Sequence, residues 1–136
     1  MVNIPENVLK LVNDPKVYKV LTTVADDGNP HSIQVGSMMA PKPDMLVVGA
    51  ILMKRTGANL SSMKNKGNLV AILTAKEMES YQIKAKVMDL VTEGPLFDKM
   101  NENLKAIGLA ASGVWVLEPA EVWNQSANYE AGKKLV

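Results

Sequence analysis

The chain has 136 residues, 47% of them apolar and 21% charged, with a formal net charge of +1. That length suits a single domain over residues 1–136, and the balance excludes a disordered chain and a general basic field for nucleic acid. Cysteine is absent, which removes disulfides, thiol nucleophiles, Cys-ligated zinc and iron–sulfur clusters, and is compatible with a cytoplasmic protein.

The N-terminal Met1-Val2-Asn3-Ile4-Pro5-Glu6 has neither the basic nor the apolar region of a signal peptide. Asn3 with Glu6 three residues on reads as a capping box, and Pro5 falls in a first helical turn. Ile4, Val8, Leu11 and Val12 share one helical face, and Asp14-Pro15 ends the helix. Residues 17–25 are rich in β-branched side chains and predict a strand. Asp26-Asp27-Gly28-Asn29-Pro30 predicts a tight turn. A second strand follows over residues 31–39, then a turn at Ala40-Pro41-Lys42-Pro43-Asp44, then a buried strand over residues 45–52. These three strands are expected to form a meander. The longest apolar run, residues 45–53, is too short to span a bilayer as a helix, so no membrane partner is expected.

A short helix is predicted over residues 56–66, and Gly67-Asn68 turns the chain into an apolar strand over residues 69–74. Residues 81–87 alternate, with one face for the core and one carrying Lys84 and Lys86, read as solvated. Gly94-Pro95 opens a helix with Leu96, Met100, Leu104 and Ile107 at helical spacing, stopped at Gly108. Residues 113–117 and 120–124 read as the last strands, kinked at Glu118-Pro119, before a polar tail over residues 125–136. Tight turns between strands that outnumber helices point to a small antiparallel barrel with peripheral helices, which leaves few open sheet edges. Nine methionines suit an adaptable core or dimer surface.

The only arginine, Arg55, lies in the run Met53-Lys54-Arg55-Thr56-Gly57-Ala58-Asn59-Leu60, where a strand hands over to a helix N-terminus. Two cations, a hydroxyl and free backbone N–H groups at such a junction suit a phosphate. The bland alternative is a solvated Lys-Arg pair with Thr56 as the helix N-cap, and the two roles of Thr56 are compatible.

Two stretches, Asp27-Gly28-Asn29-Pro30-His31-Ser32-Ile33-Gln34-Val35-Gly36-Ser37 and Lys54-Arg55-Thr56-Gly57-Ala58-Asn59-Leu60, in this order of elements, resemble the pyridoxamine 5′-phosphate oxidase-like split barrels. The resemblance to this FMN-binding family covers nearly the whole chain. It implies a mainly β fold, an antiparallel split barrel of six to seven strands with peripheral helices. It implies FMN as cofactor and a homodimer with its sites at the interface. Carried over, Lys54, Arg55 and Thr56 hold the phosphate, and Asn59 holds the phosphate or the helix start. Gln34, Val35, Gly36 and Ser37 run beside the flavin, and Val48, Gly49 and Ala50 lie under it. The family's vitamin-B6 oxidases use further arginines and a late Arg–His pair. With Arg55 and His31 the sole residues of their kinds, that activity is not expected here.

Other residues keep two readings. His31 is either an exposed strand-start histidine or a flavin-adjacent donor. Gly36 and Gly49 mark a bulge or the close approach of another group. Trp115 and Trp123 are core or dimer contacts, or stack near a flavin from the partner chain. No triad or metal-ligand pattern is present, so no catalytic residue or metal is assigned, and redox chemistry has to come from the cofactor. The expected function is therefore an FMN-dependent oxidoreductase. The alternatives are a non-enzymatic electron carrier or flavin store, and a deazaflavin-dependent reductase. The tail is the segment expected to cover the ring.

Overall fold

The computed structural model describes residues 2–136. Ten elements follow in chain order: α1 (Glu6–Asn13), β1 (Lys19–Val24), β2 (Pro30–Val35), β3 (Met39–Lys42), β4 (Met45–Gly49), α2 (Lys54–Lys66), β5 (Leu69–Lys76), β6 (Glu79–Val91), α3 (Pro95–Lys105) and β7 (Val114–Asn124). All seven strands belong to one antiparallel sheet with the order β2-β1-β5-β6-β7-β4-β3.

That order overturns the meander expected of the first three strands. β2 pairs only with β1, and β4 pairs with β7 and β3. The expected strand over residues 31–39 is in fact two. β2 ends at Val35, the chain bends at residues 36–38, and β3 then occupies part of the expected turn at residues 40–44. β2 and β3 are the two edges of the sheet, yet only residues 36–38 separate them. Four peptide steps span at most about 14 Å. The two edges must therefore approach each other, and the sheet curls into a barrel left open along one seam. Within the connecting bend, Ser37 Oγ accepts from Gly49 N–H of β4 at 3.0 Å.

The interior is filled by alternate residues of the strands, including Leu21, Val35, Ile72, Ile83, Val87 and Leu117. Neighbouring residues of β4 face two different clusters. Val48 joins the barrel interior, and Val47 packs with Met100, Leu104, Ala111 and Val114 in the second cluster, which includes the buried side chains of α3. Burial on both faces explains the unbroken apolar run there. The strand stops at Gly49, earlier than the expected residue 52. Ala50 then pairs with the loop before β7, its N–H bonded to Gly113 O at 2.9 Å and its carbonyl to Ser112 N–H at 3.1 Å. Leu52 is 91% exposed with a φ of 52°.

The helices differ from expectation at their ends. Pro5 occupies the N-cap position of α1 and no side chain caps the helix, so the Asn3–Glu6 capping box does not form. The apolar face of α1 is buried as expected, through Val8, Leu11 and Val12. Asn13 reaches edge strand β3, accepting from Ala40 N–H at 2.8 Å and donating to Ala40 O at 3.2 Å. α2 starts at Lys54, which puts Thr56 inside the first turn, and Met53 is the N-cap. Gly67, at φ 73°, ends α2 by donating to Met63 O at 2.8 Å. Ile107 lies beyond α3 and is exposed. The two expected last strands are one, β7, and its expected kink is a register shift against β6 near Pro119.

Candidate functional site

The junction of β4 and α2 is built from opposed requirements. α2 has no acidic residue in its first turn and no side-chain cap, so Lys54 and Arg55 sit beside uncapped backbone N–H groups. The helix dipole disfavours cations there by about 0.3–1 kcal/mol each. Among the described residues neither side chain has an ion pair or a hydrogen bond. Among the described residues no carboxylate pairs with either cation, and Asp27, which lines the same hollow as Arg55, bonds within its own turn instead.

Adjacent positions on a helix point about 100° apart, and the two cations separate accordingly. Arg55 lines a hollow of roughly 450 Å³ with Asn59, Ala58, His31, Pro30, Asn29, Asp27 and Ala25. Lys54 lines a different hollow of roughly 370 Å³, with Ala50, Leu52, Gly57 and Trp115 among its walls. Trp115 Nε1 is buried there without a partner.

Two ties hold α2 against the β1–β2 hairpin and so shape the Arg55 hollow. Asn59 Nδ2 donates to Thr23 Oγ1 at 3.0 Å inside the protein. On the surface, Asp26 accepts from Ser62 Oγ and from Lys66 Nζ, the latter at 3.0 Å. The Ser62 hydrogen bond, aided by Lys66, holds the Asp26 carboxyl below its usual range. The hairpin turn depends on Gly28, at φ 86°, and on Asp27, whose carboxylate accepts from Asn29 N–H at 3.0 Å and Asn29 Nδ2 at 3.1 Å.

A third hollow, of roughly 240 Å³, lies at the seam and carries no charged side chain. Gln34, Val35, Gly36, Ser37 and Gly49 form one wall, and Leu104, Ile107 and Leu109 belong to the α3 side. A Cβ added to Gly36 would meet nothing within 4 Å, so the protein's own packing does not require a glycine there. At Gly49 the reverse holds: a Cβ would lie 3.3 Å from both Ile51 Cδ1 and Ser37 Oγ. Because β2 is an edge strand, it also presents unpaired backbone groups. β2 connects this hollow with the Arg55 hollow, and His31 to Val35 spans about 13 Å at the usual strand rise.

The sequence-derived candidates are thus distributed over three hollows. Gln34, Val35, Gly36, Ser37 and Gly49 meet at the seam, Arg55 and Asn59 meet beside His31, and Ala50 and Lys54 share the hollow with Trp115. Val48 and Thr56 line none of them. Val48 is fully buried, and Thr56 is 1% exposed with its hydroxyl unpartnered. The tail does not reach this region. It folds back on β7, with Asn124 N–H donating to Lys133 O at 2.9 Å and Leu135 N–H to Val122 O at 2.7 Å, and no tail residue lines the three hollows. From the sequence alone His31 and Trp115 each keep two readings; strand register places them.

No family model and no curated protein matches the sequence. Solved structures match the fold. HupZ from Group A Streptococcus aligns with a TM-score of 0.77 at 14% identity, over 95% of this chain and 99% of that one. An FMN-binding protein from Syntrophomonas wolfei aligns with a TM-score of 0.77 at 14% identity, over 90% and 86%. An F420 reductase aligns with a TM-score of 0.68 at 18% identity, over 88% and 98%. Among the described residues there is no cluster of potential metal ligands, and no helix is long and apolar enough to cross a membrane. By fold, the chain is a split barrel of the kind shared by FMN-binding and pyridoxinephosphate oxidase family proteins.

Proposed function

We propose that this protein binds FMN and works as an oxidoreductase between a reduced donor and an acceptor, in the cytoplasm. The observation that carries the reading is the charge of Arg55, unpaired among the described residues, at the uncapped start of α2 beside a hollow. A phosphate dianion supplies what that position lacks, through a charge-assisted hydrogen bond and a favourable interaction with the helix dipole.

In this reading Arg55 and Asn59 bind the phosphate, and the buried Thr56 hydroxyl is a spare donor at the same helix start. β2 guides the ribityl chain toward the seam. Gln34, Val35, Gly36 and Ser37, with Gly49, receive the ring against an uncharged wall that limits water. The flavin, when bound, supplies two-electron transfer, and the residues supply binding, orientation and backbone hydrogen bonds.

A homodimer with two equivalent sites at its interface belongs to the same proposal. Its support is the apolar rim beside α2, where Leu52 is 91% and Leu90 38% exposed. The tail folds back on β7 and lines no wall of the seam hollow of its own chain, which favours substrate turnover over a sealed electron carrier or flavin store. A deazaflavin remains the alternative cofactor, supported by the shared fold of the F420 reductase. Purified protein is expected to be yellow or to become so on adding FMN, and to release a species with the mass of FMN on denaturation. Protein that neither carries nor takes up a flavin contradicts the proposal. Selective uptake of the deazaflavin moves it to the alternative.

A further inference from the structure

His31 is the only histidine of the chain, and the strand register decides where it points. β1 and β2 pair with Thr23 opposite His31, so the two side chains share a face with Cβ atoms about 5 Å apart. Thr23 is fully buried, and its hydroxyl accepts the hydrogen bond from Asn59 Nδ2. Asn59 follows Arg55 by one helical turn, so both project from the same side of α2. Through Asn59 and Thr23, the imidazole is brought to the hollow that also receives the guanidinium.

Among the described residues, neither the His31 nor the Arg55 side chain has a hydrogen-bond or ion-pair partner. Asp27, the one carboxylate among the residues around this hollow, is engaged by Asn29 of its own turn. The hollow thus holds two side chains with unengaged N–H donors, and the Asp27 carboxylate, bonded within its own turn, pairs with neither.

We infer that His31 donates a second side-chain hydrogen bond to the flavin phosphate, beside Arg55, and helps the site select phosphorylated over unphosphorylated flavin. This rests on the FMN reading above. His31 is then a binding residue for the cofactor's phosphate, remote from the ring and from electron transfer.

The single imidazole makes the test direct. Histidine-labelled protein is titrated with FMN, with riboflavin and with inorganic phosphate while its one set of imidazole resonances is followed by NMR. FMN is expected to shift these resonances, inorganic phosphate to shift them in the same sense at higher concentration, and riboflavin to leave them nearly in place. In parallel, His31→Ala is expected to lower FMN affinity about tenfold, the size of one lost hydrogen bond to a charged group, with riboflavin affinity unchanged. His31→Gln, which keeps an N–H donor, is expected to recover part of the loss. If His31→Ala weakens both flavins alike, or neither, the inference is overturned while the FMN reading stands. If the wild type binds FMN and riboflavin equally, the phosphate reading falls and takes this role of His31 with it.

Discussion

Around α1 and the C-terminal segment, polar groups find partners within the chain. Lys19 is 2% exposed, yet its Nζ donates to Asp14 O at the end of α1 at 2.7 Å. Asn7 donates to the Tyr81 hydroxyl at 3.3 Å, and Ser126 bonds both Ser80 N–H and Ser80 O. Around the start of α2, the side chains of Arg55, Lys54 and His31 have no such partner among the described residues, and a Cβ at Gly36 would meet nothing within 4 Å. A buried charge is tolerated only where the fold supplies a partner. Surplus donors beside a hollow are tolerated because solvent hydrates them until a ligand takes over. In the proposed function, the first region serves stability and the second serves binding.

The largest effect separating the two regions is expected at Lys19. Lys19→Ala removes a buried side chain and the contact that closes α1, at a cost of about 3 kcal/mol in stability. Chemical denaturation is expected to show this, with flavin affinity of the folded fraction unchanged. A loss of flavin affinity without a loss of stability would break the division. Arg55→Ala is expected to do the converse, weakening FMN binding by about 2–3 kcal/mol in a flavin titration while the denaturation midpoint of the flavin-free protein stays the same or rises slightly.

Thr56 sharpens the comparison, because it is buried on the binding side without a partner. Thr56→Val keeps the shape and removes the unsatisfied hydroxyl. It is expected to leave the flavin-free protein as stable or up to about 1 kcal/mol more stable, and to weaken FMN by about 1 kcal/mol. Equal destabilisation with and without FMN would make the hydroxyl a structural group.

The smallest effect is a pH dependence. Burial lowers the Lys19 pKa from its ordinary 10.5, with Asp14 opposing the shift. The unfolded state then holds more protons than the native state between the lowered value and 10.5. Stability from this group rises with pH across that window and stays flat below it. Denaturation midpoints measured at increasing alkaline pH are expected to show this rise in the wild type relative to Lys19→Met. Parallel pH profiles would contradict it.

Most of the elements are legible from local signals. The Asp26–Pro30 turn, the alternation from Tyr81 to Val87 and the stop at Gly67 each depend on residues close in the chain. The pairing of strands does not. Nothing in the run from His31 to Met39 announces that residues 36–38 carry the chain from one sheet edge to the other, because side chains on both sides of the bend are partly apolar. For the same reason the end of β4 was illegible: Ala50 leaves the strand ladder to bond Gly113 and Ser112, distant partners that the apolar run through Leu52 does not reveal. At the candidate site, Arg55 stood out by its uniqueness and position. That Lys54 turns into a different hollow, and that His31 joins Arg55, depend on where the helix begins and on the register of β1 with β2.

The binding of FMN and riboflavin to the wild type and to Arg55→Ala, measured side by side by flavin fluorescence, bears most directly on the surplus charge at the start of α2. The wild type is expected to bind FMN much more tightly than riboflavin, and Arg55→Ala to lose most of that preference while its affinity for riboflavin stays the same. Equal binding of the two flavins by the wild type, or an undiminished preference in Arg55→Ala, would show that the start of α2 is not a phosphate site.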